Sequence, residues 1–530
     1  MKLPLTPIRC LYRGVDLYGE KVGVVSGIER YTYRQFGERC ERLAAGLLAE
    51  GVRPGDRVAF LSFNNNQLLE GYYGAPLMRA IAMPLNVRLQ PAELTAILNH
   101  AETSLLVFET DFESQVKELR SACPTIQRWV AIDGASPHAD LTFEELLSHG
   151  RIERPELRSF DEDEIAELFY TSGSTGNPKG VMLSHRTLYL HALAVAGTFN
   201  HDDNAVELHT IPLFHANGWG RPQTAVMNGL KQVMVRRFEP AQVLRLIQEE
   251  RATAMSLVPT MANSLLNCPE LGDFDTSSMR DIHIGGAAAA PELIAQMEAA
   301  FRCTVMAGYG LTETAPVATS ARTKCTVRYT CEEDRVRHMS MAGWCLPGCE
   351  IRVVDLHLND VPKDMKSIGE VIIRGDNVMD GYFKEPKATE AVMSGDWLHT
   401  GDMAVWDQDH YIHIVDRKKD IIVSGGENIS SIEVEKAIYA HPSVMECAVF
   451  AVPDPKWGEV PAAVIVVKND RQLEREALLA FLGGRIAGFK MPRIVEFTRQ
   501  PLPKTGTGKI LKRQLREVYW KGKEVRVGQA

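Results

Sequence analysis

The chain has 530 residues, 45% of them hydrophobic and 24% charged, with a formal net charge of −9. That length exceeds one ordinary core and predicts three or four units of about 150 residues each. The acidic balance argues against a general nucleic-acid binder, and there is no run of about eighteen apolar residues with which to span a bilayer.

In chain order, residues 1–14 hold Lys2, Arg9 and Arg13 without the continuous apolar stretch of a secretory leader. The closing Gly528-Gln529-Ala530 is not a peroxisomal address. Ten cysteines, at 10, 40, 123, 268, 303, 325, 331, 345, 349 and 447, show no C-x-x-C pairing and read as buried thiols; a bridge or metal pair at Cys345 and Cys349 is the alternative. These features predict a cytoplasmic protein.

Between 20 and 320, strand-like runs (57–62, 104–108, 232–235) alternate with helical patterns (33–50, 240–250), the rhythm of a layered α/β fold. Residues 165–170 read as another strand, and a helical pattern resumes at Thr187. Between them lies Tyr170-Thr171-Ser172-Gly173-Ser174-Thr175-Gly176-Asn177-Pro178-Lys179-Gly180. Glycines at 173, 176 and 180 let main-chain N–H groups close on an anion, the hydroxyls add donors and Lys179 adds charge, so the segment reads as a phosphate grip. It is not a Walker A loop: Gly180 stands where Ser or Thr belongs after the lysine. Alone, such a segment also reads as a surface turn.

From 327 to 415 the strands shorten and turns multiply (Pro347-Gly348, Asn359-Asp360, Gly395-Asp396), predicting a β-rich, barrel-like subdomain. Residues 416–420 are five consecutive charges between apolar runs, which predicts a boundary: an N-terminal domain of 1–416 and a smaller α+β domain of 420–530. The latter carries 17 Lys and Arg against 13 Asp and Glu, a basic piece suited to phosphates or simply an uneven surface.

Beyond the 171–179 loop come Gly308-Tyr309-Gly310-Leu311-Thr312-Glu313-Thr314, Thr400-Gly401-Asp402, Asp416-Arg417-Lys418-Lys419-Asp420, Gly425-Gly426-Glu427-Asn428 and Pro503-Lys504-Thr505-Gly506-Thr507-Gly508-Lys509. In this order and spacing the chain resembles the adenylate-forming superfamily of acyl-CoA synthetases, luciferases and peptide-synthetase adenylation domains, over residues 20–515. The resemblance implies a large N-terminal AMP-binding domain, a mobile C-terminal lid, and ligation of a carboxylic acid to coenzyme A with ATP and Mg²⁺.

Residue by residue, the resemblance implies that Thr171, Ser172, Gly173, Ser174, Thr175, Gly176 and Lys179 hold the β- and γ-phosphates. Gly285, Ala287, Gly308, Gly310 and Tyr309 then border the adenosine, Thr312 donates to the α-phosphate and Glu313 ligates Mg²⁺. Asp402 and Arg417 meet the ribose. Lys509 bridges carboxylate and α-phosphate during adenylation. Lys419 matches the family's hinge, and Gly425, Gly426 and Trp457, with Phe489 and Lys490, match its coenzyme A contacts.

For the acid, Phe214-His215-Ala216-Asn217-Gly218-Trp219 resembles the segment entering the acyl pocket, with His215, Gly218, Trp219 and Gly310 as lining and Trp219 as a gate hinged at its flanking glycines. His215, where amino-acid-activating relatives place Asp, weighs against an amino-acid substrate. Gly285-Gly286-Ala287-Ala288 leaves room for a chain or a ring. Arg221 either faces solvent or pairs with a polar tail. A medium- or long-chain fatty acid leads, ahead of short thioether, aromatic and alicyclic acids. A fatty acyl-AMP ligase, a luciferase-like oxygenase and a nucleotide-binding regulator are the competing readings. The implied partners are the acid, ATP and coenzyme A, with a homodimer left open.

Overall fold

The computed structural model describes residues 2–171, 178–425, 427–468, 471–504 and 510–520. It is mixed α/β, and its contacts divide it into two compact units: residues 1–351 with 373–398, and residues 352–372 with 399–530.

Among the described residues, the first unit holds a nine-stranded and an eight-stranded sheet. The nine-stranded sheet runs Trp344–Cys345, Val317–Ser320, Thr304–Gly310, Asp281–Ile284, Ala254–Leu257, Val206–His209, Lys231–Met234, Val22–Ser26, Glu29–Thr32. Its middle is parallel, as helices such as Pro240–Glu250 and Pro291–Phe301 return the chain between strands. The eight-stranded sheet runs Gly381–Tyr382, Lys179–Ser184, Ile165–Thr171, Ile81–Pro84, Arg57–Leu61, Leu105–Phe108, Arg128–Ala131, Leu141–Thr142. Strands such as Leu105–Phe108 are buried at every position, the expected state of a parallel strand covered on both faces.

Local sequence accounts for these elements. Helix Tyr33–Ala49 begins at Thr32, whose hydroxyl accepts from the Gln35 N–H while the Gln35 side chain accepts from Thr32 N. It buries Tyr33, Phe36, Cys40, Leu43, Ala44 and Leu47, the spacing of one helix face. The expected helix at Thr187 starts earlier, at His185, with Ser184 as its cap. A strand the sequence reading missed, Lys179–Ser184, fills the interval.

In the second unit, Gly458–Val467 pairs with Val444–Asp454, Ile422–Ser424 and Ile494–Thr498, and helix Ser431–Tyr439 packs on this sheet. The expected boundary at 416–420 lies inside this unit. Asp416 explains the continuity: its Oδ2 accepts from Ser431 N at 2.5 Å and Ser431 Oγ at 2.7 Å, tying strand Ile412–Arg417 to the helix start. The β-rich stretch also contains helices Glu332–Met339 and Pro386–Glu390. All ten cysteines are free thiols; five are buried, whereas Cys325 and Cys331 are exposed, so the uniform burial expected of them does not hold.

Candidate active site

Strands Ile165–Thr171 and Lys179–Ser184 pair antiparallel with Thr171 opposite Lys179, so the two described ends of the glycine-rich stretch lie side by side. The predicted ligands Ser172, Gly173, Ser174, Thr175 and Gly176 lie outside the described residues. Lys179 itself sits on the second strand, with its Nζ 4.7 Å from the ring centroid of Tyr382. The Tyr382 hydroxyl donates to Glu313 Oε1 at 2.8 Å. Burial, and after it the Glu313 charge, push the Tyr382 phenol far above its ordinary range, so it stays a donor.

Tyr382 therefore joins Lys179, the cation expected to hold phosphate, to the carboxylate expected to hold the metal. Backbone pairing fixes it, with Tyr382 opposite Val181. The turn carrying Thr312 and Glu313, Thr312–Thr314, is fastened by the same stretch: Met379 N donates to Glu313 O at 2.9 Å and Asn377 Nδ2 to Thr314 O at 3.0 Å. Sequence reasoning missed Tyr382 because its partners lie about 70 and 200 positions away in the chain; only the isolated Gly381-Tyr382 pair hinted at it.

Gly308, Tyr309 and Gly310 end strand Thr304–Gly310, beside the parallel strand Asp281–Ile284 that runs into Gly285. A Cβ on Gly285 would stand 3.0 Å from Trp219 Cη2 and 3.4 Å from Gly308 O. The structure thus brings the predicted gate, the small-residue run and the Tyr309 strand together, with Ala287 exposed beside them.

Trp219 sits in an unusual backbone. Ala216, Asn217, Gly218, Trp219 and Gly220 all have φ between 42° and 70°, a run of left-handed residues. Each non-glycine member costs about 1–2 kcal/mol relative to the right-handed form. Gly220 also lies against the His191 imidazole, where no Cβ would fit. Asn217, fully buried, holds the turn: its Oδ1 accepts from Gly220 N at 2.6 Å and its Nδ2 donates to Glu167 Oε2 at 3.1 Å. His215 is exposed by surface area, yet desolvation by the surrounding atoms, then Arg88, hold its imidazole below the ordinary value and favour the neutral form.

Arg221 takes neither of its expected places. It is buried, and two guanidinium nitrogens meet the buried Glu207 carboxylate at 3.0 and 2.7 Å. Burial alone would raise the Glu207 carboxyl, but Arg221 brings it below the usual range.

In the second unit Asp402 and Arg417 stand opposite each other on paired strands, with Arg417 Nε 2.8 Å from Asp402 Oδ1. Lys418 Nζ reaches Glu370 Oε2 at 3.0 Å, and the Lys419 carbonyl accepts from Arg516 Nη1 at 2.9 Å. Gly425, at φ +59°, donates its N–H to Trp457 O at 2.8 Å and packs on the half-exposed indole, so two predicted coenzyme A contacts adjoin. Phe489 is exposed, and Lys490 pairs with Glu433 at 2.6 Å. Gly426 and Lys509 lie outside the described residues; Lys504 and Ile510 pair across the segment that contains Lys509.

Two other clusters of metal-ligand type occur among the described residues. Asp281 accepts from His201 at 3.0 Å and His283 at 2.6 Å, which satisfies its carboxylate; Glu109 and Asp111 share Arg236.

The AMP-binding enzyme family matches residues 11–383, and its C-terminal domain matches residues 433–509. The chain belongs to the AMP-binding enzyme family. It is 38% identical over 518 residues to a long-chain-fatty-acid–CoA ligase of Thermus thermophilus, covering 96% of this chain and 94% of that one. It is 34% identical to 4-hydroxybutyrate–CoA ligase 2 of Metallosphaera sedula, covering 97% and 94%. An anthranilate CoA ligase solved with anthranoyl-AMP superposes with a TM-score of 0.84 at 25% identity, covering 98% of both chains. This AMP-binding enzyme is accordingly an AMP-forming acid–thiol ligase, with a large α/β domain and the family's smaller C-terminal domain. No helix among the described residues is long and apolar enough to cross a membrane.

Proposed function

We propose that the enzyme activates a carboxylic acid with an uncharged, apolar tail, a medium- or long-chain fatty acid first among them, and delivers it to coenzyme A in the cytoplasm. The observation carrying this reading is the gate: an indole lies over Gly285, and the adjacent cation Arg221 is engaged by Glu207 instead of facing a substrate. An aromatic acid is the second reading, supported by the likeness to the anthranilate ligase.

The first half-reaction forms a bond from the acid's carboxylate oxygen to the α-phosphorus of ATP and breaks the bond to pyrophosphate. No enzyme nucleophile is needed, so positioning and charge stabilisation carry the rate. The 171–179 loop and Lys179 would hold the pyrophosphate, Thr312 the α-phosphate, Tyr309 the adenine and Asp402 with Arg417 the ribose. Lys509 would neutralise charge between carboxylate and α-phosphate. Glu313 fits Mg²⁺, since Tyr382 occupies one oxygen and leaves the other as a hard donor. The ion would neutralise phosphate charge.

In the second half-reaction the coenzyme A sulfur attacks the acyl carbon, its proton leaves to solvent and AMP departs with the bonding electrons. Gly425, Gly426 and Trp457 would admit the thiol after the 420–530 domain turns about Lys419. The deciding experiment measures AMP formation over straight-chain, thioether, hydroxy and aromatic acids. Highest kcat/KM on straight chains of about eight carbons or more supports the leading reading; highest values on aromatic acids overturn it for the second.

A further inference from the structure

The left-handed turn that carries Trp219 bridges the two large sheets. At its C-terminal end Arg221 is locked to Glu207 on strand Val206–His209 of the nine-stranded sheet. At its centre Asn217 binds Glu167 on strand Ile165–Thr171 of the eight-stranded sheet, the strand that also leads into the glycine-rich stretch. Glu167 is fully buried, and its second oxygen accepts from Gln223 Nε2 at 2.7 Å. Nothing in the adenylation chemistry requires a carboxyl at this position. One of its two bonds goes to Asn217, which with Ala216 and Trp219 makes three non-glycine residues in a left-handed backbone, and the other to Gln223 on the helix that follows.

We infer that Glu167, acting through Asn217, is a positioning residue that sets the gate: it pins the strained turn so that the Trp219 indole rests on Gly285 and shapes the entrance for the acid. The inference rests on the acyl-gate reading given above. Without the pin, the turn relaxes toward right-handed geometry, the indole leaves Gly285, and the acid is held in many poses instead of one. The arrangement also predicts which substitute works. Gln223 Oε1 is buried with no partner among the described residues. In Glu167→Gln, the new carbonyl can accept from Asn217 while the new amide donates to Gln223 with its end group turned over.

The test compares wild type, Glu167→Ala, Asn217→Ala and Glu167→Gln in two assays. The first is amide hydrogen exchange of the 213–222 peptide in the substrate-free enzyme. The second is steady-state kinetics with octanoate and benzoate at saturating ATP, and with ATP varied. Both alanine variants should exchange about tenfold faster in that peptide and raise the acid KM about tenfold, with the ATP KM within about twofold of wild type and Glu167→Gln restored in both assays. Unchanged exchange in both alanine variants overturns the inference. So does a parallel loss for acid and ATP that Glu167→Gln fails to rescue, which would make Glu167 only a support of the fold. Should wild type release no pyrophosphate with any acid, the functional reading fails, while the exchange comparison still decides whether Glu167 pins the turn.

Discussion

The Tyr382 side chain places its ring 4.7 Å from the Lys179 ammonium and its hydroxyl on Glu313, so one residue links the cation proposed to hold phosphate to the carboxylate proposed to hold the metal. A hydrogen bond to a charged group contributes about 1.5–3 kcal/mol. Tyr382→Phe keeps the ring and deletes that bond. Acid-dependent ATP–pyrophosphate exchange should fall about tenfold or more in this variant, with a raised Mg²⁺ requirement; a wild-type rate and Mg²⁺ profile would remove Tyr382 from the site. The motifs at 308–314 and 400–402 stood out in the sequence through the family resemblance, which gives their residues their expected roles. Tyr382 was not, since an aromatic beside a glycine reads as core until pairing shows what it faces.

Among elements, strand Ile165–Thr171 links stability to chemistry. Desolvation raises the Glu167 carboxyl to about 8, with Asn217 and Gln223 opposing it. A carboxyl raised in the folded state keeps a proton that the unfolded chain releases, so folding stability falls as pH rises from about 4.5 to about 8. The slope contributed by this group is at most about 1.4 kcal/mol per pH unit. Denaturation across that window should show Glu167→Gln with a flatter stability profile than wild type; parallel profiles would mean the carboxyl is ionised in the fold. Helices 33–50 and 240–250 and strands 57–62 and 104–108 were legible from period alone, within a residue or two of their observed bounds. Strand Lys179–Ser184 was hidden because Lys179 and Gly180 belong to a loop signature. The turn at 216–220 was hidden for a different reason. Ala, Asn and Trp do not announce a left-handed backbone, and the buried acids that enforce it lie on distant strands.

At the scale of the molecule, two reactions at one acyl group need different surroundings, which a single fixed set of side chains does not supply. The family's C-terminal domain, matched over residues 433–509, carries the segment around Lys509, and the glycine and tryptophan at 425 and 457 adjoin on the same compact unit. If Lys419 is the pivot, Lys419→Pro should leave pyrophosphate release intact and slow coenzyme A-dependent AMP release at least tenfold; equal effects on both steps would dismiss the pivot. The account depends most on the division of labour between the half-reactions, and Lys509→Ala tests it most directly. AMP release from acid, ATP and coenzyme A is measured beside AMP release from preformed acyl-adenylate and coenzyme A. The account predicts a loss of several orders of magnitude in the first and a near wild-type rate in the second, and comparable losses in both would contradict it.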